Sequence, residues 1–353
     1  MNMMNTKIER VNPEQIDETI MEEAGRLIAE GELVAFPTET VYGLGGDALH
    51  PEAARKIYAA KGRPSDNPLI VHIADFSDME RVAREVPEAA RKLAGAFWPG
   101  PLTMIVWKSD AVPMATTGGM DTVAVRMPNH PVALDLIRKS GCLIAAPSAN
   151  TSGRPSPTEA SHVAEDLSGR IAMILDGGPV GIGIESTIID LTESKPMVLR
   201  PGYITPQMLS EVLGEEVIID PGIIAADDTR KPKAPGMKYT HYAPKGKLTI
   251  VEGEREKVAA KIAELVACKQ AEGYKTAVLC DTENTDLYSC ENVLDAGSKK
   301  NEITVSSSLY RLLRLCDDIG ADYIYSESFR EGDMGYAIMN RLIKAAGHRI
   351  ISV

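Results

Sequence analysis

The sequence predicts two α/β domains in one chain, on three observations. Short apolar strands alternate with amphipathic helices along most of its length. Several N-terminal strands are joined by links too short for a crossover, which makes that sheet partly antiparallel, and 353 residues exceed what one hydrophobic core usually supports.

The first helix is expected from about Glu14 to Glu30, where Ile16, Ile20, Ala24, Leu27 and Ile28 share one face at helical spacing and Gly31 ends the run. Leu33-Val34-Ala35-Phe36 reads as a short buried strand stopped by Pro37. The stretch that follows, Pro37 to Gly46, is too polar and too glycine-rich to read as a core element, and Pro51 opens the next helix. Strands are expected at Leu69–Ile73, Thr103–Trp107, Thr122–Met127, Leu143–Ala146, Ile171–Leu175, Thr187–Leu191 and Met197–Leu199, with helices over Asp78–Ala96 and Pro131–Ser140. Together they make a first domain of residues 1–210 with a mixed, twisted sheet.

From about Glu211 to Lys247 the periodicity lapses among prolines and glycines, so residues 211–247 read as an irregular connector. Between Arg230 and Lys247 it carries six Lys or Arg and no acid, which suits either a solvated tether or a segment with a job. Regular alternation returns in residues 248–353: strand Leu248–Val251, helix Glu254–Lys269, strand Thr276–Cys280, strand Glu302–Val305, helix Ser307–Ile319, strand Tyr323–Ser326 and helix Asp333–Ala346. This is a smaller, open, Rossmann-like sheet with crossover helices and no GxGxxG fingerprint.

No apolar run approaches the roughly 20 residues that cross a bilayer, and Met1 to Arg10 lack the apolar stretch of a secretory signal. The five cysteines are scattered and never form CxxC, which points to a reducing, cytoplasmic compartment and neither a disulfide scaffold nor a zinc site. A net charge of -12 argues against a protein that coats nucleic acid through a diffuse basic surface.

Two clusters carry candidate chemistry. In Lys61-Gly62-Arg63-Pro64-Ser65-Asp66-Asn67-Pro68 two cations stand two residues apart on a loop entering a strand, where Lys61 as a point charge and Arg63 as a fork can converge on a polyphosphate; two solvated surface charges are the plainer reading. Ser148-Ala149-Asn150-Thr151-Ser152-Gly153 follows an apolar strand and offers hydroxyls, amides and backbone N–H groups to phosphate, ribose or base; a turn with a helix cap is the plainer reading. Arg126, Ser186 and Arg200 each sit at the end of an apolar strand.

In combination these segments resemble the L-threonylcarbamoyladenylate synthase family, built on the YrdC-like domain, in its longer two-domain form. The marks are Pro37-Thr38-Glu39-Thr40-Val41-Tyr42-Gly43-Leu44, Lys61-x-Arg63-x-x-x-Asn67, Ser148-x-Asn150, Glu185-Ser186-Thr187-Ile188, and Lys238-Tyr239-Thr240-His241-Tyr242-Ala243-Pro244 beyond the first domain. The resemblance covers essentially all of the chain and implies a nucleotidyltransferase that makes threonylcarbamoyl-AMP and pyrophosphate from L-threonine, bicarbonate or CO2, and ATP. A separate tRNA threonylcarbamoyl-transferase complex would use the product for N6-threonylcarbamoyladenosine.

By that resemblance Thr40, His72, Arg126 and Ser186 hold threonine. Lys61, Arg63, Asn67, Thr122, Ser148, Asn150, Ser156 and Arg200 hold ATP, and Lys61 and Arg63 act on the reacting phosphates. Tyr242, an exposed ring on the connector, closes over the adenylate, so that the connector serves as a lid; Mg2+ arrives with ATP. Three other functions remain open at this point: a carbamoyl-adenylate step like that of the hydrogenase-maturation carbamoyltransferases, an RNA-binding module, and a regulatory nucleotide-binding protein.

Overall fold

The computed structural model of the chain describes residues 5–224 and 242–353. These fall into two compact units, the first holding 5–152, 156–181 and 185–224, the second 153–155, 182–184 and 242–353.

One eleven-stranded sheet organises the first unit. Its strands are β1 (Lys7–Arg10), β2 (Val34–Phe36), β3 (Gly43–Asp47), β4 (Ile70–His72), β5 (Leu102–Trp107), β6 (Thr122–Arg126), β7 (Ile144–Ala145), β8 (Met173–Asp176), β9 (Thr187–Asp190), β10 (Met197–Arg200) and β11 (Ile218–Ile219). They lie in the order β1-β8-β2-β3-β7-β4-β6-β5-β9-β10-β11, with parallel pairs such as β4 and β6 beside antiparallel ones such as β5 and β6. The helices are α1 (Glu18–Ala29), α2 (Pro51–Lys61), α3 (Met79–Val82), α4 (Glu88–Phe97), α5 (Pro131–Ser140), α6 (Ala160–Leu167), α7 (Pro206–Leu213) and α8 (Pro221–Ile224).

Side-chain alternation gives the two faces of this sheet different fates. On one face Val71, Met104, Val125 and Ile189 join the main core with helical residues such as Ile57, Leu93 and Val163. On the other, α1 and α5 cover only part of the surface, packing Met21, Ala24, Val132 and Leu136 against Phe36, Ile144 and Met173. Gly25 lets these helices touch, since a Cβ there would stand 2.7 Å from the carbonyl carbon of Lys139. The rest of that face carries a small apolar cluster, Ile70, Ala124, Ile105, Ile188 and Leu199, every member of which comes from a strand. Among the described residues no helical residue joins this cluster, and the polar side chains of His72, Thr103 and Arg126 share its face of the sheet.

Several sequence expectations need correction. Pro37–Gly46 runs into β3, a buried strand in the interior of the sheet. Its glycines make room for their neighbours: a Cβ on Gly45 would stand 2.8 Å from Ile144 Cγ2 and 2.9 Å from Phe36 Cε1. The expected helix Asp78–Ala96 is two helices, α3 and α4, because Pro87 disfavours helical backbone before it and itself becomes the N-cap of α4. Five short elements, β1, α6, α7, β11 and α8, stand outside the expected set, and regular structure continues past residue 210 to Ile224.

The second unit is a five-stranded sheet with crossover helices: β12 (Lys247–Glu252), α9 (Arg255–Ala271), β13 (Thr276–Cys280), β14 (Val293–Asp295), α10 (Glu302–Asp318), β15 (Tyr323–Glu327), α11 (Gly335–Ala345) and β16 (Ile350–Ser352). Its order is β14-β13-β15-β12-β16, every pair parallel. The expected strand Glu302–Val305 is instead the start of α10, where Val305, Leu309, Leu312, Leu313 and Cys316 are buried at helical spacing. Three β-prone residues, Ile303, Thr304 and Val305, yield to the longer helical pattern they begin.

Candidate active site

Alternation along β6 sends Arg126 to the same face as Ala124, and the register sets His72 of β4 and Thr103 of β5 on either side of it. The loop after β2 is tied by Thr38, whose Oγ1 accepts from the N–H groups of Thr40 and Val41 and donates to the Val41 carbonyl at 2.7 Å. This places Thr40 to accept from Arg126 Nη1 at 2.9 Å, while Arg126 Nε reaches the Gly100 carbonyl at 3.4 Å. Arg126 Nη2 lies 2.7 Å from Glu39 Oε2. That close contact misses hydrogen-bond geometry, so it is an ion pair, and both Glu39 oxygens are buried without accepting a hydrogen bond.

His72 is 4% exposed, its ring edge-on to Phe36, with Nδ1 3.2 Å from the Ile70 carbonyl oxygen. Burial, and after it the charge of Arg126, push its pKa down to about 3. The imidazole is therefore neutral at pH 7, a hydrogen-bonding group and a weak base.

Ser186, just before β9, shares a 2.7 Å hydroxyl contact with Thr103. Arg200, the last residue of β10, donates to the Ser186 carbonyl at 3.0 Å and to its hydroxyl at 3.2 Å. Next in the chain, Glu185 accepts from Ser156 at 2.6 Å. Ser186, expected at the amino-acid site, and Arg200, expected at the nucleotide site, are thus in direct contact.

The remaining residues gather at the other end of β6. Lys61, the last residue of α2, is buried and directs Nζ at the carbonyl oxygens of Ser148 and Asn150. Ser148 donates to Asn150 Oδ1 at 2.6 Å. Arg63 folds back on its own loop, donating to the carbonyls of Asn67 at 3.2 Å and Pro68 at 3.1 Å, and Asn67 Oδ1 is buried without a hydrogen-bond partner. Thr122 opens β6, and extending the Ile70–Ala124 register by two residues sets it level with Pro68. It stands about 13 Å along the strand from Arg126, at roughly 3.3 Å per residue. The site is therefore elongated: Thr40, His72, Arg126, Ser186 and Arg200 at one end, Lys61, Arg63, Asn67, Thr122, Ser148 and Asn150 at the other, with Ile70 and Ala124 as an apolar floor between them.

A family model described as Telomere recombination, for the Sua5, YciO and YrdC proteins, matches residues 26–202, the stretch that holds this site. The chain belongs to the Sua5/YciO/YrdC family. A second model, described as the threonylcarbamoyl-AMP synthase C-terminal domain, matches residues 204–347. Among relatives, the threonylcarbamoyl-AMP synthase of Pyrococcus abyssi is 51% identical over 341 residues, 96% of this chain and 98% of that protein. The Bacillus subtilis threonylcarbamoyl-AMP synthase is 51% identical over 330 residues, 93% of each chain. The crystal structure of P. abyssi Sua5 complexed with L-threonine superposes with a TM-score of 0.93 at 50% identity, over 99% of this chain and 100% of that one.

Against this Sua5-type site, the expectation for Tyr242 changes most. Tyr242 belongs to the second unit, is 6% exposed, and stacks on Tyr310 at 5.1 Å between ring centroids. It is a packed ring, not exposed bulk. Lys238 to His241 and most of the basic stretch of the connector lie outside the described residues. Sequence reasoning also passed over Glu39, Thr103 and Glu185 as site residues. Glu39 and Glu185 stand inside quoted motifs beside the residues chosen, but Thr103 left no local mark, because only strand register sets it between Arg126 and Ser186.

Proposed function

We infer that this chain has threonylcarbamoyl-AMP synthase activity, joining L-threonine, bicarbonate or CO2, and ATP into threonylcarbamoyl-AMP with release of pyrophosphate. The observation that carries the reading is the end-to-end identity of about half with two threonylcarbamoyl-AMP synthases. The site supplies a chemistry that fits it. An elongated half-face with buried cations at both ends suits a ligand pair carrying a carboxylate at one end and a triphosphate at the other.

In this reading the threonine carboxylate takes the Arg126 guanidinium in place of Glu39, with Thr40 and Ser186 beside it. Neutral His72 offers a hydrogen bond to the substrate and is not the base. The threonine ammonium loses one proton to solvent, its free amine bonds to CO2 and loses a second proton to solvent to leave a carbamate; a carbamate oxygen then attacks the α-phosphorus, forming the mixed anhydride as the bond to pyrophosphate breaks. Both reactants are anionic, so positioning and cationic stabilisation dominate, and no covalent nucleophile is required. Lys61 and Arg63 act there by letting go of the carbonyls they hold in this structure and turning to the phosphates. Arg200 touches Ser186 and so stands where amino acid and α-phosphate meet. Asn67, Thr122, Ser148 and Asn150 complete the nucleotide side, Ser156, bonded to Glu185, meets the nucleotide from the Arg200 end, and Mg2+ travels with ATP as part of the substrate. Transfer of the product to a tRNA-modifying transferase complex, and a cytoplasmic location, belong to the same proposal; no helix among the described residues is long and apolar enough to cross a membrane.

The test is product analysis with ATP, bicarbonate and one amino acid at a time, following pyrophosphate and intact adenylate. Threonine should be favoured over serine by about 10–200-fold, the worth of one methyl group, and valine should be rejected more strictly because it leaves a hydroxyl partner unpaired. No pyrophosphate release with threonine, or valine used as well as serine, would overturn the reading.

A further inference from the structure

In the second unit the chain runs from β12 to β13 and on to β14 toward one edge of the sheet, then from β14 to β15 and on to β16 toward the other. β15 lies between β13 and β12, so strands whose connections leave in opposite directions are neighbours. The carboxyl ends of such strands leave a crevice between them, which is where open α/β sheets bind ligands. A cavity of about 350 Å³ occupies this place, lined by Glu252 at the end of β12, Asp281 just past β13 and Glu327 at the end of β15. That volume is in the range of small-ligand pockets.

The polar groups at its base are buried and unequal in charge. Asp281 and Glu327 are each 3% exposed and Asn284 is 4% exposed. Glu327 is fully engaged, its Oε1 accepting from Tyr288 at 2.6 Å and Asn284 at 2.9 Å, its Oε2 from the Asp281 N–H at 3.1 Å. Burial, then the hydrogen bond to Glu327, push the Tyr288 hydroxyl pKa up, so it stays protonated and donates. Asp281 Oδ2 pairs with Lys299 at 2.8 Å, and Lys299 stands 3.9 Å from Glu327. Asp281 Oδ1 is buried and accepts no hydrogen bond. Two buried carboxylates therefore face one ammonium, and the acceptor left over belongs to the residue with surplus charge. Such an orphan costs roughly 1–3 kcal/mol or more for a charged group unless something fills it.

We propose that this crevice binds a small ligand through a protonated amine, which donates to Asp281 Oδ1 at the carboxyl ends of β12, β13 and β15. A divalent cation fits less well, because Mg2+ and Ca2+ take six or more oxygen ligands while Glu327 has already committed both oxygens. The exposed Arg255 and Lys300 at the rim suit a carboxylate, so a free amino acid and a polyamine are the two sources of the amine to separate.

The test is a titration of the full-length, isotope-labelled chain by transverse-relaxation-optimised NMR with spermidine, L-lysine, sodium acetate and Mg2+ in separate arms. Saturable shifts of the Asp281, Asn284 and Glu327 amides are expected with spermidine or L-lysine, and whichever saturates names the source. Asp281→Asn should weaken that binding about tenfold or more. Lys299→Gln should strengthen it, because the internal cation no longer competes for Asp281. This opposite sign separates a binding site from a structural ion pair even if Asp281→Asn folds poorly. No saturable shift with either amine, equal shifts with Mg2+ alone, unchanged affinity in Asp281→Asn, or weaker binding in Lys299→Gln would each overturn the proposal. The readout does not depend on pyrophosphate release, so its failure leaves the synthase reading untouched.

Discussion

Arg126→Met and Glu39→Gln, singly and together, separate what Arg126 does for the fold from what it does for the substrate. Arg126 is 4% exposed and holds Thr40 and Gly100 while lying 2.7 Å from Glu39. Removing the guanidinium strands the Glu39 carboxylate, both of whose oxygens are buried with no hydrogen bond to fall back on. Breaking a buried pair from one side costs about 3–5 kcal/mol, whereas replacing both members by neutral groups is often neutral or better. Arg126→Met should therefore lower unfolding free energy by about 3 kcal/mol or more, and the double variant should recover most of the loss. Threonine binding should not recover. Losing the partner of the substrate carboxylate costs about 2–5 kcal/mol, at least 30-fold in affinity, in both Arg126→Met proteins, with ATP affinity in the absence of threonine nearly unchanged. Urea denaturation measures the first quantity and calorimetry the second. A double variant as unstable as Arg126→Met, or one that regains threonine binding along with stability, would refute the argument.

Three further outcomes follow from the geometry. His72 protonates near pH 6.5 when unfolded and at about 3 when folded, so below pH 6.5 the unfolded chain takes up a proton that the native one refuses, and stability falls as pH drops. His72→Gln should remove up to about 1.4 kcal/mol per pH unit from that slope between pH 6.5 and 5, seen in urea midpoints; burial of His130, whose pKa is also lowered, leaves a residual slope. Tyr242→Ala should destabilise the second unit by about 3–5 kcal/mol through loss of a buried ring, and Tyr242→Phe, which keeps the stack on Tyr310, should cost less in denaturant unfolding; comparing the yield of intact adenylate in the two variants, by chromatography, separates the ring from the hydroxyl. Gly45→Ala drives a methyl against Ile144 and Phe36 and should cost about 1–3 kcal/mol in denaturant unfolding; because Phe36 also packs edge-on against His72, threonine binding should weaken as well.

The elements legible in the sequence are those whose burial is written into a local period. α5 and β6 appear at their expected positions because Val132, Ala133, Leu136 and Ile137 repeat at helical spacing, and Val123 and Val125 alternate with residues of a different face. β3 was missed for the converse reason: its burial comes from neighbours that fill the space its glycines leave, and nothing in Gly-Leu-Gly-Gly-Asp marks those neighbours. β1 and β11 are edge strands of four and two residues, too short to carry a pattern. The site divides in the same way. Lys61, Arg63, Ser148 and Asn150 were legible as charged or polar residues on loops that border apolar strands. Glu39 stands inside a motif, but its role lies in the ion pair with Arg126, which no local pattern marks.

By itself the sequence determined the two α/β domains, the polar loops that interrupt their strands, and, through five motif segments in order, the family and its chemistry. Tertiary structure alone decided which strand residues gather with Arg126 on one half-face of the large sheet, that Arg126 is held by Glu39 across 87 residues of chain, and that Tyr242 is packed and not free. The reason is physical: periodicity records whether a residue faces a core, whereas charge pairing, register and close approach depend on residues far apart in the chain, which only the closed fold brings within bonding distance.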